Sequence, residues 1–251
     1  MRVTILGCGG SGGVPRIGED WGVCDPDEPR NRRTRASIFV ETGRTRVLVD
    51  TSPDLRQQCL DRGIADFDAV VYTHSHADHC HGIDELRVLA ARNRRPMPIF
   101  AAADTLATLK DRFGYAFGEP DSPYPAILVG HEIDGPFTLG DLEVTPFAQD
   151  HGGITTLGLR FGAIAYSTDV VTLHEAAFAA LEGVQTWIVA ALRPEPHPTH
   201  ANVDQALAWI DRLRPRRAVL THMTALLDYA ALSTTLPDGV EPAHDGLVLV
   251  V

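Results

Sequence analysis

The stretch Thr73-His74-Ser75-His76-Ala77-Asp78-His79-Cys80-His81-Gly82 decides how this chain folds, because it marks a junction between two kinds of element. It follows the apolar residues 69–72, which are typical of a buried β-strand. It precedes residues 83–92, in which apolar side chains recur at helical spacing. The His-rich segment is therefore predicted to lie where a strand ends and a helix begins.

The spacing within this stretch directs several potential ligands toward one place. His74 and His76 alternate in an extended segment and so point the same way. Asp78 and His79 fall at the predicted helix start, where a carboxylate also suits the positive end of the helix dipole. Nitrogen and carboxylate-oxygen ligands of this kind suit zinc, iron or manganese. The alternative, a polar His-rich surface loop, needs several coincidences at one strand–helix junction.

Four more residues of ligand type stand where an apolar strand stops or in the loop that follows one. They are His151, Asp169, His200 and His222. In α/β sheets, functional sites gather at strand ends. Any one of these side chains alone would more often be a surface or hydrogen-bonded residue. Together with the first cluster, they predict a composite metal site.

Composition bounds the class of protein. The chain has 251 residues, 44% of them hydrophobic and 22% charged, which suits one soluble globular domain over residues 1–251. The formal net charge of −11 disfavours broad, salt-driven binding to an extended nucleic acid. The four scattered cysteines suggest no disulfide framework. No apolar run approaches the roughly 18 residues of a membrane span, so we expect a cytoplasmic protein with no membrane partner.

The order of predicted elements indicates the architecture. Strands come first, then strand–helix units, then strands and strand–helix units again, with a loop at residues 114–125. This order predicts two packed sheets with helices outside. Gly7, Gly9 and Gly12 match the spacing of a dinucleotide-binding loop, but residues 14–18 include a proline and a glycine and do not begin a helix as that loop requires. We therefore expect a tight turn there.

The run Arg30-Asn31-Arg32-Arg33-Thr34-Arg35 leaves two interpretations open. Such a run is commonly a solvated face of the protein. It would also suit an edge that holds an anion, since arginine binds phosphate through two parallel hydrogen bonds.

At this point the chain resembles the metallo-β-lactamase superfamily and, within it, the phosphodiesterase family of phosphonate utilisation, which hydrolyses phosphoribosyl 1,2-cyclic phosphate. The resemblance implies the four-layer αββα sandwich. Besides the His motif and the arginine run, it rests on Leu6-Gly7-Cys8-Gly9, Gly12-Gly13-Val14-Pro15, Leu48-Val49-Asp50, Tyr166-Ser167-Thr168-Asp169, Leu220-Thr221-His222-Met223 and Leu236-Pro237-Asp238-Gly239.

The resemblance also implies roles for individual residues and two divalent metal ions per chain, Mn²⁺ or Zn²⁺. One ion would be held by His74, His76 and His151, the other by Asp78, His79 and His222, with Asp169 bridging both. His200 matches a general-acid position, and Asp78 is assigned to catalysis as well as to metal binding. Arg33, Arg35 and His200 are predicted to contact a small phosphate-containing substrate. A homodimer is also expected from the family alone.

Family members often build a structural zinc site from cysteines in the loop after the first strand. Here that loop offers only Cys24, so we expect no such site.

The sequence leaves three alternative functions open. One is a tRNA 3′-processing nuclease, which would need extra surface to hold a large RNA. Another is a thioester or lactone hydrolase with the same metal centre. The third is a metal-binding or sensing protein without turnover.

Overall fold

A computed structural model describes residues 1–118 and 125–251 of the chain. The predicted loop at residues 114–125 is partly replaced by a single helical turn at Gly114–Phe117, and residues 119–124 lie outside the described part. Among the described residues, no helix is both long enough and apolar enough to cross a membrane.

The first sheet contains both ends of the chain. Its strands are β1 (Arg2–Gly7), β2 (Ser37–Glu41), β3 (Arg46–Val49), β4 (Ala69–Val71), β5 (Met97–Ala101), β6 (Leu128–Glu132) and β14 (Val248–Val250). The described strands run in the order β14-β1-β2-β3-β4-β5-β6. Pairing is antiparallel from β14 to β3 and parallel from β3 to β6.

The second sheet repeats this plan. Its strands are β7 (Phe137–Leu139), β8 (Leu142–Asp150), β9 (Thr155–Phe161), β10 (Ile164–Ser167), β11 (Thr186–Ala190), β12 (Arg217–Thr221) and β13 (Val240–Pro242). The order is β13-β12-β11-β10-β9-β8-β7, antiparallel from β7 to β10 and parallel from β10 to β13. The two sheets therefore share one arrangement of antiparallel and parallel strands.

Helices cover the outer faces of both sheets. They are α1 (Leu55–Arg62), α2 (Ala77–Cys80), α3 (Leu86–Asn93), α4 (Ala103–Arg112), α5 (Gly114–Phe117), α6 (Glu175–Leu181), α7 (Val203–Leu213) and α8 (Tyr229–Thr235). Apolar side chains of α1, α3 and α4 pack on the first sheet, and those of α6 and α7 pack on the second.

Strand alternation divides the apolar residues between these layers. In β2, Ile38 and Val40 belong to the core between the sheets, whereas Phe39 packs with the outer helices. Trp187 of β11 is fully buried and donates a hydrogen bond from Nε1 to Ser167 Oγ at 3.0 Å, which satisfies its one donor. The predicted αββα sandwich is confirmed.

Candidate metal centre

Several strands of both sheets end at one place, and their ends carry the predicted ligands. His74 follows β4, His151 follows β8, and His222 follows β12. Asp169 lies just beyond β10, while Asp78 and His79 lie in α2. The αββα arrangement therefore brings together residues that are far apart in the chain.

The first group of side chains comprises His74, His76, His151 and Asp169, with one ligand atom from each within 4.8 Å of the others. The His74 and His76 ring centroids are 4.6 Å apart, and those of His76 and His151 are 5.1 Å apart. His74 and His151 are buried, whereas His76 is exposed. This group could hold one metal ion.

The second group comprises Asp78, His79 and His222, which also lie within 4.8 Å of one another through one ligand atom each. His79 Nε2 is 3.4 Å from Asp78 Oδ2, and His222 Nε2 is 4.0 Å from the same oxygen. The two imidazole rings are nearly parallel, with an interplanar angle of 7°. These three residues also form a group that could hold a metal ion.

Asp169 lies between the two groups and contacts both. Its Oδ2 is 3.0 Å from His79 Nε2, and its Oδ1 is 3.4 Å from His222 Nε2 and 3.6 Å from His151 Nε2. Asp169 and His222 both have left-handed backbone, with φ of 48° and 58°. Non-glycine residues hold such backbone only where the surrounding structure fixes it. Both side chains are thus aimed by strained turns at strand ends.

The hydrogen bonds around the histidines select which ring nitrogen faces the centre. Nδ1 of His74 pairs with Thr73 Oγ1 at 3.0 Å, and Nδ1 of His79 pairs with Asp50 Oδ2 at 2.8 Å. Nδ1 of His151 pairs with the Thr199 carbonyl oxygen at 2.6 Å. An oxygen partner on one ring nitrogen orients the other toward a metal.

The surroundings of the buried histidine nitrogens show whether a metal ion fits this centre. Within the described part of the chain, Nε2 of His74 is buried without a hydrogen-bond partner, and Nε2 of His79 is buried facing the carboxylates of Asp78 and Asp169. A buried polar atom without a partner costs stability, unless something occupies the space beside it. Together with the His and Asp donors, these two atoms fit divalent metal ions.

Electrostatics set the protonation states of the proposed ligands. Burial lowers the pKa of His79, but the nearby Asp169 and Asp50 outweigh burial and raise that pKa well above its ordinary value, so a bound metal would replace a proton on this ring. Burial raises the pKa of Asp169, but the nearby His222 and His79 outweigh burial and hold that pKa well below its ordinary value. Burial, and then the neighbouring His79, lower the pKa of His74 well below its ordinary value. Asp169 is therefore an anion and His74 a neutral imidazole near neutral pH, which are the forms that bind metals.

His200 lies beside these groups, in the loop between β11 and α7. Its Nδ1 is 3.7 Å from Asp169 Oδ1 and has no hydrogen-bond partner among residues 1–118 and 125–251, and its ring stacks on His222 with centroids 5.0 Å apart. Burial, and next the neighbouring His222, lower the pKa of His200 to about 3. His200 also forms a third possible ligand group with Asp169 and His222.

A cavity of about 400 Å³ opens onto the centre. Its lining residues are Ser11, His76, Asp78, His151, Gly152, Ile154, Asp169, Thr199, His200 and His222. A larger cavity of about 680 Å³ lies at the C-terminal end of α3, lined in part by Arg94 and Arg95. Chemistry rather than size identifies the functional cavity, since only the smaller one is lined by the His and Asp groups.

The prediction for Arg33 requires a correction, because its side chain is buried and is not among the residues that line this cavity. The residue is 2% exposed, and its guanidinium donates to the carbonyl oxygens of Thr224 and Leu227 at 3.1 and 2.7 Å. It also donates to Asn31 Oδ1 at 3.2 Å. Arg33 thus joins two loops and is not placed to contact substrate.

Arg35 lies next to a loop of the cavity rim, but its guanidinium is already hydrogen-bonded to other protein groups. Its Nη1 donates to Asp54 Oδ1 at 2.8 Å, and its Nε donates to the Ser11 carbonyl oxygen at 3.4 Å. Ser11 lines the cavity, so Arg35 borders its rim through that loop. Direct contact of Arg35 with substrate stays a prediction.

The loop that contains Cys24 is fastened by polar contacts. Cys24 Sγ donates to the Leu227 carbonyl oxygen at 3.3 Å, and Asn31 Nδ2 donates to Asp228 Oδ2 at 2.6 Å. These bonds and those of Arg33 tie the loop to the segment before α8.

Sequence reasoning missed the roles of Asp50 and Thr199. Asp50 follows the apolar strand β3, which is the same pattern that identified His151 and Asp169. Thr199 acts through its main-chain oxygen, for which the amino-acid type gives no signal.

This fold together with a His/Asp cluster of this composition defines a class of protein, the metal-dependent hydrolases of the metallo-β-lactamase fold. The family model described as "Beta-lactamase superfamily domain" matches residues 45–223. The crystal structure of a new diphosphatase from the PhnP family is 36% identical to this chain, with a TM-score of 0.92, and the match covers 100% of this chain and 97% of that one. The chain belongs to the β-lactamase superfamily and, within it, to the PhnP family.

Two further proteins are similar to this chain. A protein of Porphyromonas gingivalis named octanoyltransferase is 34% identical over 257 residues, covering 100% of this chain and 52% of that protein. The chain spans about half the length of the curated relatives it matches. The zinc-bound PqqB of Methylobacterium extorquens shares the fold, with a TM-score of 0.80, 21% identity and full coverage of both chains.

Proposed function

We propose that this protein hydrolyses a phosphodiester or diphosphate bond in a small molecule, with a small cyclic sugar or nucleotide phosphate as the first candidate. The observation that carries the proposal is a pair of neighbouring His/Asp groups beside a cavity of about 400 Å³, one containing Asp169 and the other in contact with it through His79 and His222. Membership of the PhnP family, with a diphosphatase among its relatives, supports phosphorus as the centre attacked.

The proposed ligand sets are His74, His76 and His151 for one divalent ion and Asp78, His79 and His222 for the other, with Asp169 shared. Manganese and zinc both accept these donors. When bound there, two such ions would acidify a water for attack and offset the negative charge of the phosphate.

The protein's own residues orient the reaction. Asp50, Thr73 and Thr199 fix the histidine rings through their Nδ1 atoms, so that the ligands need no rearrangement when substrate arrives. His200 faces the same cavity and is proposed to carry the proton that the leaving oxygen gains. An anionic phosphate beside the ring would counter the burial that lowers the pKa of His200, which favours the protonated form when substrate is bound.

The cavity favours a small substrate over an extended nucleic acid. Its volume of about 400 Å³ is in the range of small-molecule sites. The formal net charge of −11 also opposes binding of a long polyanion. A homodimer remains part of the proposal on family grounds alone.

The test is metal-reconstituted turnover on a panel of a cyclic ribose phosphate, a 2′,3′-cyclic nucleotide, a sugar diphosphate and an RNA with a 3′ trailer. The proposal expects preference for one of the small phosphates. Preference for the RNA would contradict it, and no metal-dependent turnover of any member would favour a binding or sensing protein.

A thioester hydrolase is the second candidate, and one observation favours it. The relative named octanoyltransferase contains a counterpart of this whole chain as about half of its length. An octanoyl thioester added to the same panel separates the two candidates. Turnover of the thioester above that of every phosphate would replace the first proposal.

A further inference from the structure

Asp245 lies outside the metal centre, in the segment between β13 and β14, and its carboxylate is surrounded by donors. Oδ1 accepts from the main-chain nitrogen of Cys8 at 3.0 Å and from Cys8 Sγ at 3.4 Å. Oδ2 accepts from the main-chain nitrogen and the hydroxyl of Thr34, each at 2.7 Å. All four donors are uncharged, so this carboxylate acts as a multiple acceptor.

Cys8 connects this carboxylate to the metal centre. The Cys8 carbonyl oxygen accepts from the main-chain nitrogen of Met223 at 2.9 Å, and the Met223 carbonyl oxygen accepts from Gly10 at 3.2 Å. Met223 directly follows His222 in the chain. The backbone at Met223 is therefore held on both sides by the loop that Asp245 fastens.

His222 needs such support because its backbone is strained. Its φ of 58° lies in the left-handed region, which is unfavourable for a residue other than glycine. If Met223 were free to relax, His222 could return to ordinary backbone. Its Nε2 would then leave its position 3.4 Å from Asp169 Oδ1.

We propose that Asp245 is a positioning residue for the second metal site, acting through Cys8 and Met223 to hold His222 in its left-handed conformation. The inference rests on the proposed metal-ligand role of His222 and concerns metal affinity, whatever the substrate.

The geometry requires a carboxylate at this position. Both oxygens of Asp245 accept from main-chain N–H groups, one of Cys8 and one of Thr34. An asparagine has one acceptor oxygen, and its amide nitrogen would face one of those N–H groups donor to donor. Because Thr34 offers two short bonds, the asparagine oxygen is expected to turn toward Thr34 and leave the Cys8 N–H without a partner.

The experiment compares Asp245→Asn with Asp141→Asn, using Mn²⁺ titration of the apoprotein by calorimetry. Asp141 is a matched control, because it also accepts from threonine hydroxyls, those of Thr42 and Thr45, and lies at the hairpin between β7 and β8. In Asp245→Asn, the dissociation constant of one Mn²⁺ should rise about 10–100-fold, as for other residues that orient ligands. The other Mn²⁺ and both ions in Asp141→Asn should stay within about threefold of wild type.

Unchanged affinities in Asp245→Asn would overturn the inference, and so would equal weakening of both ions. If that variant does not fold, amide hydrogen exchange in the wild type decides. Zn²⁺ loading should slow exchange at Cys8 and Met223 but not at Asp141, because stabilisation passes both ways between coupled sites. Amide exchange rates at Cys8 and Met223 that do not change on Zn²⁺ loading would overturn the inference. The proposed function fails separately, through the absence of phosphate turnover in a wild type that binds both ions.

Discussion

Asp50 accepts a hydrogen bond from Nδ1 of His79 at 2.8 Å, and both side chains are fully buried. The same carboxylate accepts from the main-chain nitrogen and the hydroxyl of Thr73, each at 2.8 Å. One carboxylate therefore fixes the ring of a proposed ligand and the turn that presents His74.

Replacing Asp50 by alanine should weaken metal binding without touching a ligand. The ring of His79 would lose its only oriented Nδ1 partner, so the dissociation constant of the second ion should rise about 10–100-fold. Calorimetric titration with Mn²⁺ measures this change, and Asp84→Ala on the surface is the control. Wild-type affinity in Asp50→Ala would show that the hydrogen bond does not orient His79.

Asp169 and His76 should differ in how many ions depend on them. Asp169→Ala removes a contact to both groups and should leave fewer than one tightly bound ion per chain. His76→Ala removes a ligand from the first group alone and should spare the second ion. Elemental analysis after gel filtration gives both counts. Two tightly bound ions in Asp169→Ala would exclude a shared ligand.

His200→Ala should lower kcat by about 10²–10⁴ while both ions remain bound, since its expected contribution is proton transfer. His131→Ala, remote on β6, is the matched control and should retain wild-type kcat. Loss of an ion from His200→Ala would instead make His200 a ligand, as its place in the third group with Asp169 and His222 allows.

Arg33→Ala should destabilise the fold and leave the KM of the folded enzyme near wild type. Two carbonyl oxygens lose a charged donor and a cavity forms, which together cost about 2–4 kcal/mol. Urea unfolding measures the loss, and Arg32→Ala on the exposed side of the same run is the control. A large rise in KM at unchanged stability would restore the substrate-binding role predicted for Arg33.

The pKa of Asp245 makes stability depend on pH in a defined direction. Burial raises the pKa of this carboxyl to about 6, whereas unfolded aspartate titrates near pH 3.9, so the folded chain binds more protons between these values. The unfolding free energy therefore falls as pH rises from about 4 to 6, by about 3 kcal/mol at most, and levels off above.

Urea unfolding of the apoprotein at a series of pH values measures this effect, with Asp245→Asn as the variant that lacks it. The difference between wild type and variant should decrease as pH rises. A difference that increases with pH would mean that the four hydrogen bonds lower the pKa of Asp245 instead.

The sequence alone predicted those parts of the candidate site whose residues lie close together in the chain. The stretch from His74 to His79 carries its candidate ligands at spacings that a strand end and one helical turn convert directly into a cluster. The strand-end pattern also led to His151, Asp169 and His222, because parallel strands of the sandwich end on one side.

The arginine run shows where local patterns fail. Asn31 and Arg33 are buried and Arg32 is exposed, so the run alternates between the interior and solvent. Besides the nearby Asn31, Arg33 donates to the carbonyl oxygens of Thr224 and Leu227, 191 and 194 residues away in the chain. Asp245 was missed for the same reason, since Cys8 lies 237 residues from it. Only the folded chain shows which polar residues meet.

The most direct test of the central claim is hydrolysis of bis(p-nitrophenyl) phosphate by the apoprotein during stepwise addition of Mn²⁺. Two ions sharing Asp169 predict turnover that rises steeply with the second equivalent and then stays constant. Full turnover at one equivalent, or in the presence of a chelator, would contradict a two-metal phosphodiesterase.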